Sequence, residues 1–104
     1  MARIRSIKPE FFDDEELSRL TPLARLMFIG LWLWADREGR LKDQPARLKR
    51  NILAYDRCNP DALLDALAGA GVIVRYESSG ERFIQVKHFL RHQRPHIKEV
   101  PSTY

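Results

Sequence analysis

The chain has 104 residues, of which 44% are hydrophobic and 31% charged, and its formal net charge is +4. This length suits one domain with a single hydrophobic core, and the composition excludes a disordered or fibrous chain. The single cysteine, Cys58, cannot form an intramolecular disulfide, which favours a reducing, cytoplasmic setting. No run of about 18 apolar residues and no apolar signal core occurs, so neither a membrane span nor secretion is expected.

Residues 1–20 are predicted to form a basic arm and then a short helix that packs on the core. Arg3 and Arg5 alternate with apolar residues. Basic N-terminal arms recur in DNA-binding modules, so both arginines are candidate phosphate contacts, the alternative being a solvated terminus. Four consecutive acids, Asp13 to Glu16, follow the arm. Because side chains of consecutive residues point in several directions, we interpret these acids as a solvated helix start and not as a cation site.

The strongest helical pattern runs from Pro22 to about Ala35, with Thr21 as its N-cap. Apolar residues occupy nearly its whole circumference, which predicts burial on more than one side. We expect the cover to come from within the chain, the alternative being a second subunit. The residues expected to provide it are Phe11, Phe12, Phe89 and Leu90.

A second helix is predicted after a polar turn over residues 36–41, which is centred on Gly39 and leads to a candidate one-bridge strand. It runs from Pro45 to about Leu53, with Asp43 or Gln44 as its cap. Basic residues crowd the surface that its apolar residues leave free.

A third helix and two strands form the clearest local signature in the chain. Asn59 caps the helix, Pro60 opens it, and a double-glycine stop ends it near Ala70. Alternating apolar residues predict strands over residues 72–77 and 82–87, joined by a Ser-Ser-Gly turn. A helix followed at once by such a hairpin is typical of the end of a winged helix-turn-helix.

The predicted fold is therefore α+β and mainly α. The order of elements is that of a winged helix-turn-helix, with a three-helix core and a C-terminal β-hairpin wing over residues 21–88. The N-terminal arm and short helix occupy residues 1–20. Residues 89–104 are predicted to be a C-terminal extension or the start of a linker.

Four segments carry a resemblance to a known family: RIRSIKPEFF, TPLARLMFIGLWLWADREGRL, DALLDALAGAGVIVRYE and FIQVKHFLRHQRPH. They resemble a family of phage and prophage helix-turn-helix proteins described as replication initiators or replisome organisers, with the winged helix at the amino terminus. The resemblance implies binding of origin or single-stranded DNA, self-assembly, and delivery of replication proteins by a region beyond residue 104. Related primosomal proteins use a similar winged helix for oligomerisation.

The third helix lacks the side chains that read bases. Bidentate recognition of guanine or adenine needs arginine, lysine, asparagine or glutamine, and this helix has none after its cap. Its outward positions are predicted to be Asp61, Ala62, Asp65 and Ala68. Aspartates repel phosphates, so we do not expect sequence-specific reading there. These four residues are instead candidate contacts for a protein partner.

Positive charge lies elsewhere in the chain and can contact a phosphate backbone without reading sequence. Candidate DNA contacts on the second helix and the turn after it are Arg47, Lys49, Arg50 and Arg57. Candidates in the C-terminal part are Arg82, Lys87, Arg91 and Arg94. Ordinary solvated positions are the alternative reading of these residues.

No catalytic, metal or cofactor site is predicted. His88, His92 and His96 recur every four residues, but Pro95 interrupts the helix that a shared zinc ion would need. No nucleophile with its base, no phosphate-cradling glycine loop and no repeated Cys/His spacing occurs.

The sequence thus favours a non-enzymatic DNA-binding domain of a phage-type replication initiator or organiser, acting in the cytoplasm of a bacterial host. DNA, duplex or single-stranded, is the expected partner. A second copy of the chain and replication proteins are further candidates, while a membrane and a small-molecule substrate are not expected. Two alternatives stay open: a winged-helix module for protein interaction or self-assembly, and a phage transcription regulator.

Overall fold

The computed structural model describes residues 2–89, which form an α+β fold as predicted. In chain order the elements are α1 (Glu10–Asp13), α2 (Glu15–Ser18), α3 (Pro22–Trp34), β1 (Arg40–Lys42), α4 (Pro45–Ile52), α5 (Pro60–Gly69), β2 (Ile73–Ser78) and β3 (Glu81–Val86). The strands form an antiparallel sheet in the order β1-β3-β2. This architecture is compatible with a winged helix. No helix of the described segment combines the length and hydropathy that crossing a bilayer would require.

The N-terminal segment differs from the single short helix that was predicted. Two four-residue helices form because Asp14 adopts an extended backbone between them, with φ −70° and ψ 121°. The Asp14 carboxylate then caps α2 by accepting a hydrogen bond from the Leu17 N–H at 2.9 Å. Because Asp14 caps α2, the chain forms two short helices in place of one, and Leu17 lies in the core.

Two of the predicted caps are confirmed by hydrogen bonds. The Thr21 hydroxyl accepts from the Ala24 N–H at 3.2 Å at the start of α3. The Asn59 side chain accepts from the Ala62 N–H, also at 3.2 Å, at the start of α5. The prediction for α4 is only half right, because Gln44 occupies the N-cap position without a side-chain bond.

The β-hairpin has a tighter turn than the sequence indicated. Ser78 pairs with Glu81, so only Ser79 and Gly80 remain in the loop. Both have positive φ, 53° and 79°, which is the requirement of a two-residue type I′ turn. Strand β1 joins this hairpin through the pairing of Leu41 with Ile84, and the inner face of the sheet packs against the helices.

Helix α3 lies at the centre of the core, but the predicted cover over it is only partly correct. Phe11 packs on it, with ring centroids 6.4 Å from Phe28 and 5.8 Å from Trp32. Phe12 turns away and is 73% exposed, so its predicted role as cover is wrong. Part of α3 also remains open, since Leu26 is 48% exposed. Phe89 is buried as predicted, and Leu90 lies outside the described residues.

Close approach of α4 to α3 depends on a glycine. Leu48 is buried, and Ile52 packs against the core beside it on the same side of α4. A Cβ atom at Gly30 would overlap the Ile52 side chain. Because α4 is seated in this way, the opposite side of the helix faces solvent.

Candidate nucleic-acid interface

The exposed side of α4 and the turn after it carry basic side chains and one aromatic side chain. Arg47, Arg50 and Asn51 are exposed and stand at i, i+3 and i+4, which places them on one face of the helix. The turn that follows adds exposed Tyr55 and Arg57. We call these five residues the α4 face. Leu48 is buried on the other side of the helix, so the α4 face points to solvent.

The arginines of the α4 face have no carboxylate partner among residues 2–89. The ion pairs of this segment use other cations, among them Arg19 with Glu15 at 3.1 Å and Lys42 with Glu81 at 3.9 Å. Their charge is therefore available to an external anion. Arg37 and Lys87 also form no such pair, but they lie on other segments of the chain.

Lys49 does not belong to the α4 face, because its side chain makes a contact within the domain. Its side chain is half-buried and its Nζ donates to the Leu53 carbonyl at 3.4 Å. The Leu53 N–H in turn donates to the Lys49 carbonyl at 2.7 Å. A cation at this position also interacts favourably with the carbonyl end of the helix. Lys49, a predicted DNA contact, thus stabilises the end of α4.

Arg75, for which no structural role was predicted, holds α5 against the sheet. Arg75 of β2 makes a two-point contact with Asp43, at 2.7 Å from Nε to Oδ2 and 2.9 Å from Nη2 to Oδ1. It also donates to Asp61 at 2.7 Å and to Asp65 at 2.8 Å. We call these four residues the Arg75 cluster.

The side chains of the Arg75 cluster differ in how deeply they are buried. The Arg75 side chain is 10% exposed and that of Asp43 is fully buried, whereas Asp61 and Asp65 are 57% and 69% exposed. Hydrogen bonding to Asp43, followed by the bonds to Asp61 and Asp65, raises the pKa of Arg75 above its ordinary value against the opposing effect of burial. The guanidinium is therefore charged at every ordinary pH.

The Arg75 cluster corrects the predicted character of the α5 surface. Asp61 and Asp65 are exposed as predicted, but both carboxylates are bound to Arg75. Ala62 is exposed as predicted, whereas Ala68 packs against the core and does not face outward. The signal that sequence reasoning missed is Arg75 itself, a charged residue that shares the inward row of β2 with Ile73.

The surface at the start of α5 nevertheless remains negative. Arg82 adds a second cation near Asp43, with 3.8 Å between Nη2 and Oδ2. The three carboxylates still exceed the two guanidiniums by one charge. A phosphate would meet repulsion there, in contrast to the α4 face.

The predicted N-terminal arm lies along α3. Its backbone is held by a hydrogen bond from the Arg3 N–H to the Leu33 carbonyl at 2.7 Å. Arg5 donates to the carbonyls of Trp32 and Ala35, both at 3.1 Å, and its guanidinium carbon lies 5.1 Å from the centroid of the Phe89 ring. Arg5, a predicted DNA contact, thus has a structural role at the end of α3.

The remaining predicted contacts do not join the α4 face. Arg82 and Lys87 are exposed on β3 and directly after it. Arg91 and Arg94 lie outside the described residues, as do His92 and His96. Within residues 2–89, no three histidine, cysteine or acidic side chains are grouped so that they could hold a metal ion.

Comparisons with known proteins give no relative from which a role could be transferred. No protein-family model matches the chain, and neither a curated protein nor a solved structure is significantly similar to it.

Proposed function

We propose that residues 21–88 form a winged helix-turn-helix domain that binds DNA through its phosphate backbone, without catalytic activity. Helices α3, α4 and α5, with β1 between the first two and the β2–β3 hairpin at the end, are compatible with that fold. The resemblance of four sequence segments to phage replication initiators and organisers supports the placement in DNA replication. The finer assignment, to an initiator or organiser, depends on that resemblance.

The α4 face is the observation that carries this proposal. It presents three arginines that have no carboxylate partner within the described segment, on a helix whose other side is buried. Arginine binds phosphate oxygens with two parallel N–H groups, and each contact releases counterions from DNA. Three phosphate contacts predict a slope of about −2.7 in log affinity against log salt for duplex DNA. Affinity should then fall about 40-fold between about 50 and 200 mM salt.

The α5 helix supports backbone binding over sequence reading. In most helix-turn-helix proteins this helix enters the major groove and contacts base edges. Here its first turns carry Asp61 and Asp65, whose carboxylates are held by Arg75. Neither aspartate can make the bidentate contacts with guanine or adenine that discriminate bases. We therefore expect little preference among duplex sequences, which disfavours a sequence-specific transcription regulator.

The test is a DNA titration over a salt series with a charge-matched control. Arg47→Gln with Arg50→Gln should lower affinity and make the slope shallower by about 1.8, because two phosphate contacts are lost. The control is Arg19→Gln with Arg37→Gln, which removes the same charge from other segments. Arg19 is 64% exposed in its weak surface pairs, so the control should fold normally. An equal loss in both variants, or no binding at low salt, would overturn the proposal.

A second candidate function, self-association, is favoured by an apolar groove between the N-terminal helices and α3. The groove has a volume of about 310 Å³ and includes Phe12, Leu26 and Ile29. Phe12 and Leu26 are 73% and 48% exposed, and a second copy of the chain could cover the same surface reciprocally. Light scattering over a concentration series tests this. Phe12→Ser should abolish any dimer, whereas the control Val74→Ser, on the outer face of the sheet, should not.

A further inference from the structure

We infer that Tyr55 stacks on an unpaired base, so that the α4 face prefers single-stranded over duplex DNA. This inference rests on the DNA-binding function proposed above and specifies its substrate. Three observations carry it: the exposure of the ring, the turn that presents it, and the residues beside it.

Among the large apolar side chains of the described segment, only those of Tyr55 and Ile4 are fully exposed. The relative exposure of Tyr55 is 102%, so its ring lies against nothing in the domain. A tyrosine in a folded domain normally buries most of its ring and leaves the hydroxyl in water. The other strongly exposed aromatic residue of the segment, Phe12, belongs to α1 and not to the α4 face. The Tyr55 ring thus makes no contribution to the core and is free for a ligand.

The turn that presents Tyr55 is anchored at both ends. The Asp56 N–H donates to the Leu53 carbonyl at 3.2 Å, which closes a four-residue turn with Tyr55 at its third position. Leu53 is 1% exposed, and its carbonyl also accepts from Lys49 at 3.4 Å. On the far side, Cys58 packs against the core. The backbone that carries the ring is therefore organised before a ligand arrives, which lowers the entropy cost of binding.

The residues on either side of Tyr55 supply what a single-strand site requires. Arg50 and Asn51 end the exposed side of α4 just before the turn, and Arg57 follows two residues after the tyrosine. Single-strand sites combine cations that follow the backbone with aromatic rings on which bases stack. In a duplex the flat faces of the bases are already stacked on one another. The ring of Tyr55 therefore gains a partner only where bases are unpaired.

The expected effect of removing the ring follows from the strength of base stacking. Tyr55→Ala should lower the affinity for single-stranded DNA by about 5-fold to 150-fold. Tyr55→Phe retains the aromatic face and should stay within about two-fold of the unmodified protein. Duplex affinity should be unchanged in both variants. Because Tyr55 is fully exposed, neither substitution should alter the thermal unfolding midpoint.

The experiment compares three probes of equal length: an oligothymidine, an abasic deoxyribose-phosphate strand, and a duplex. The inference predicts that the unmodified protein prefers the oligothymidine to the abasic strand, and that Tyr55→Ala removes this preference without weakening abasic binding. Equal affinity of the unmodified protein for both strands, or a preference that survives in Tyr55→Ala, would overturn the inference but leave phosphate binding intact. Absence of binding to all three probes at low salt would instead overturn the proposed function.

Discussion

Replacing Arg75 with methionine removes the guanidinium that connects β2 to α5 and to the segment before α4. Methionine keeps an unbranched side chain of comparable length on the inner face of the sheet. The Asp43 carboxylate, which is fully buried, then loses both of its short contacts with Arg75. Its nearest remaining cation is Arg82, 3.8 Å away and 58% exposed.

The size of the effect follows from the burial of each partner. Leaving one charge of a buried pair uncompensated costs about 3–5 kcal/mol. Arg82 offsets part of this cost, so Arg75→Met should lower the free energy of unfolding by about 3 kcal/mol. Asp61→Asn removes a partner that is 57% exposed, and its cost should stay below about 1 kcal/mol.

Urea unfolding followed by circular dichroism measures both changes. With a slope of about 1.5 kcal/mol per molar urea, Arg75→Met should lower the midpoint by about 2 M. Combining Arg75→Met with Asp43→Ala removes the orphaned carboxylate, so the double variant should be more stable than Arg75→Met alone. The reasoning is refuted if Arg75→Met costs no more than Asp61→Asn, or if Asp43→Ala lowers stability further in the Arg75→Met background.

Four other substitutions test the structure of the domain through thermal unfolding. Gly30→Ala should destabilise the domain by about 1–3 kcal/mol because the new methyl group overlaps Ile52. Gly69→Ala, in open space at the end of α5, should stabilise the domain by about 0.5–1 kcal/mol. Equal effects of the two substitutions would contradict the packing of α4 on α3. Gly80→Ala places a Cβ at φ +79° and should cost about 1 kcal/mol, and a neutral result would argue against the type I′ turn. Arg5→Gln should lower the unfolding midpoint by several degrees, because it removes hydrogen bonds worth about 1–2 kcal/mol. DNA affinity should stay nearly unchanged. An unchanged midpoint with a loss of DNA affinity would show that Arg5 contacts DNA.

Helices α4 and α5 of the predicted helix-turn-helix differ in the partners of their outward charged side chains. The outward aspartates of α5 hold a structural arginine, while the outward arginines of α4 have no carboxylate partner in the described segment. We therefore expect stability and the proposed DNA binding to respond to different substitutions. Substitutions in the Arg75 cluster should act mainly on unfolding, and those on the α4 face mainly on affinity.

Local residue patterns were enough to place the boundaries of most helices and strands. Thr21 and Asn59 each bond a backbone N–H three residues away, and the hairpin depends on two adjacent residues with positive φ. Such interactions involve neighbours in the chain, so a local pattern contains the information. The basic character of the second helix was also evident from the sequence, because the burial of Leu48 follows from helical spacing.

Which charges remain available to a ligand depends on contacts between residues that are far apart in the chain. Arg75 meets Asp43 across 32 residues and Asp65 across 10, and Arg5 reaches the Trp32 carbonyl across 27. An ion pair depends on distance and burial in space, which composition and periodicity do not contain. The same physics turned Arg5 and Lys49 from predicted phosphate contacts into structural groups. It left Arg47, Arg50 and Arg57 beside an exposed tyrosine as the surface on which the proposed function depends.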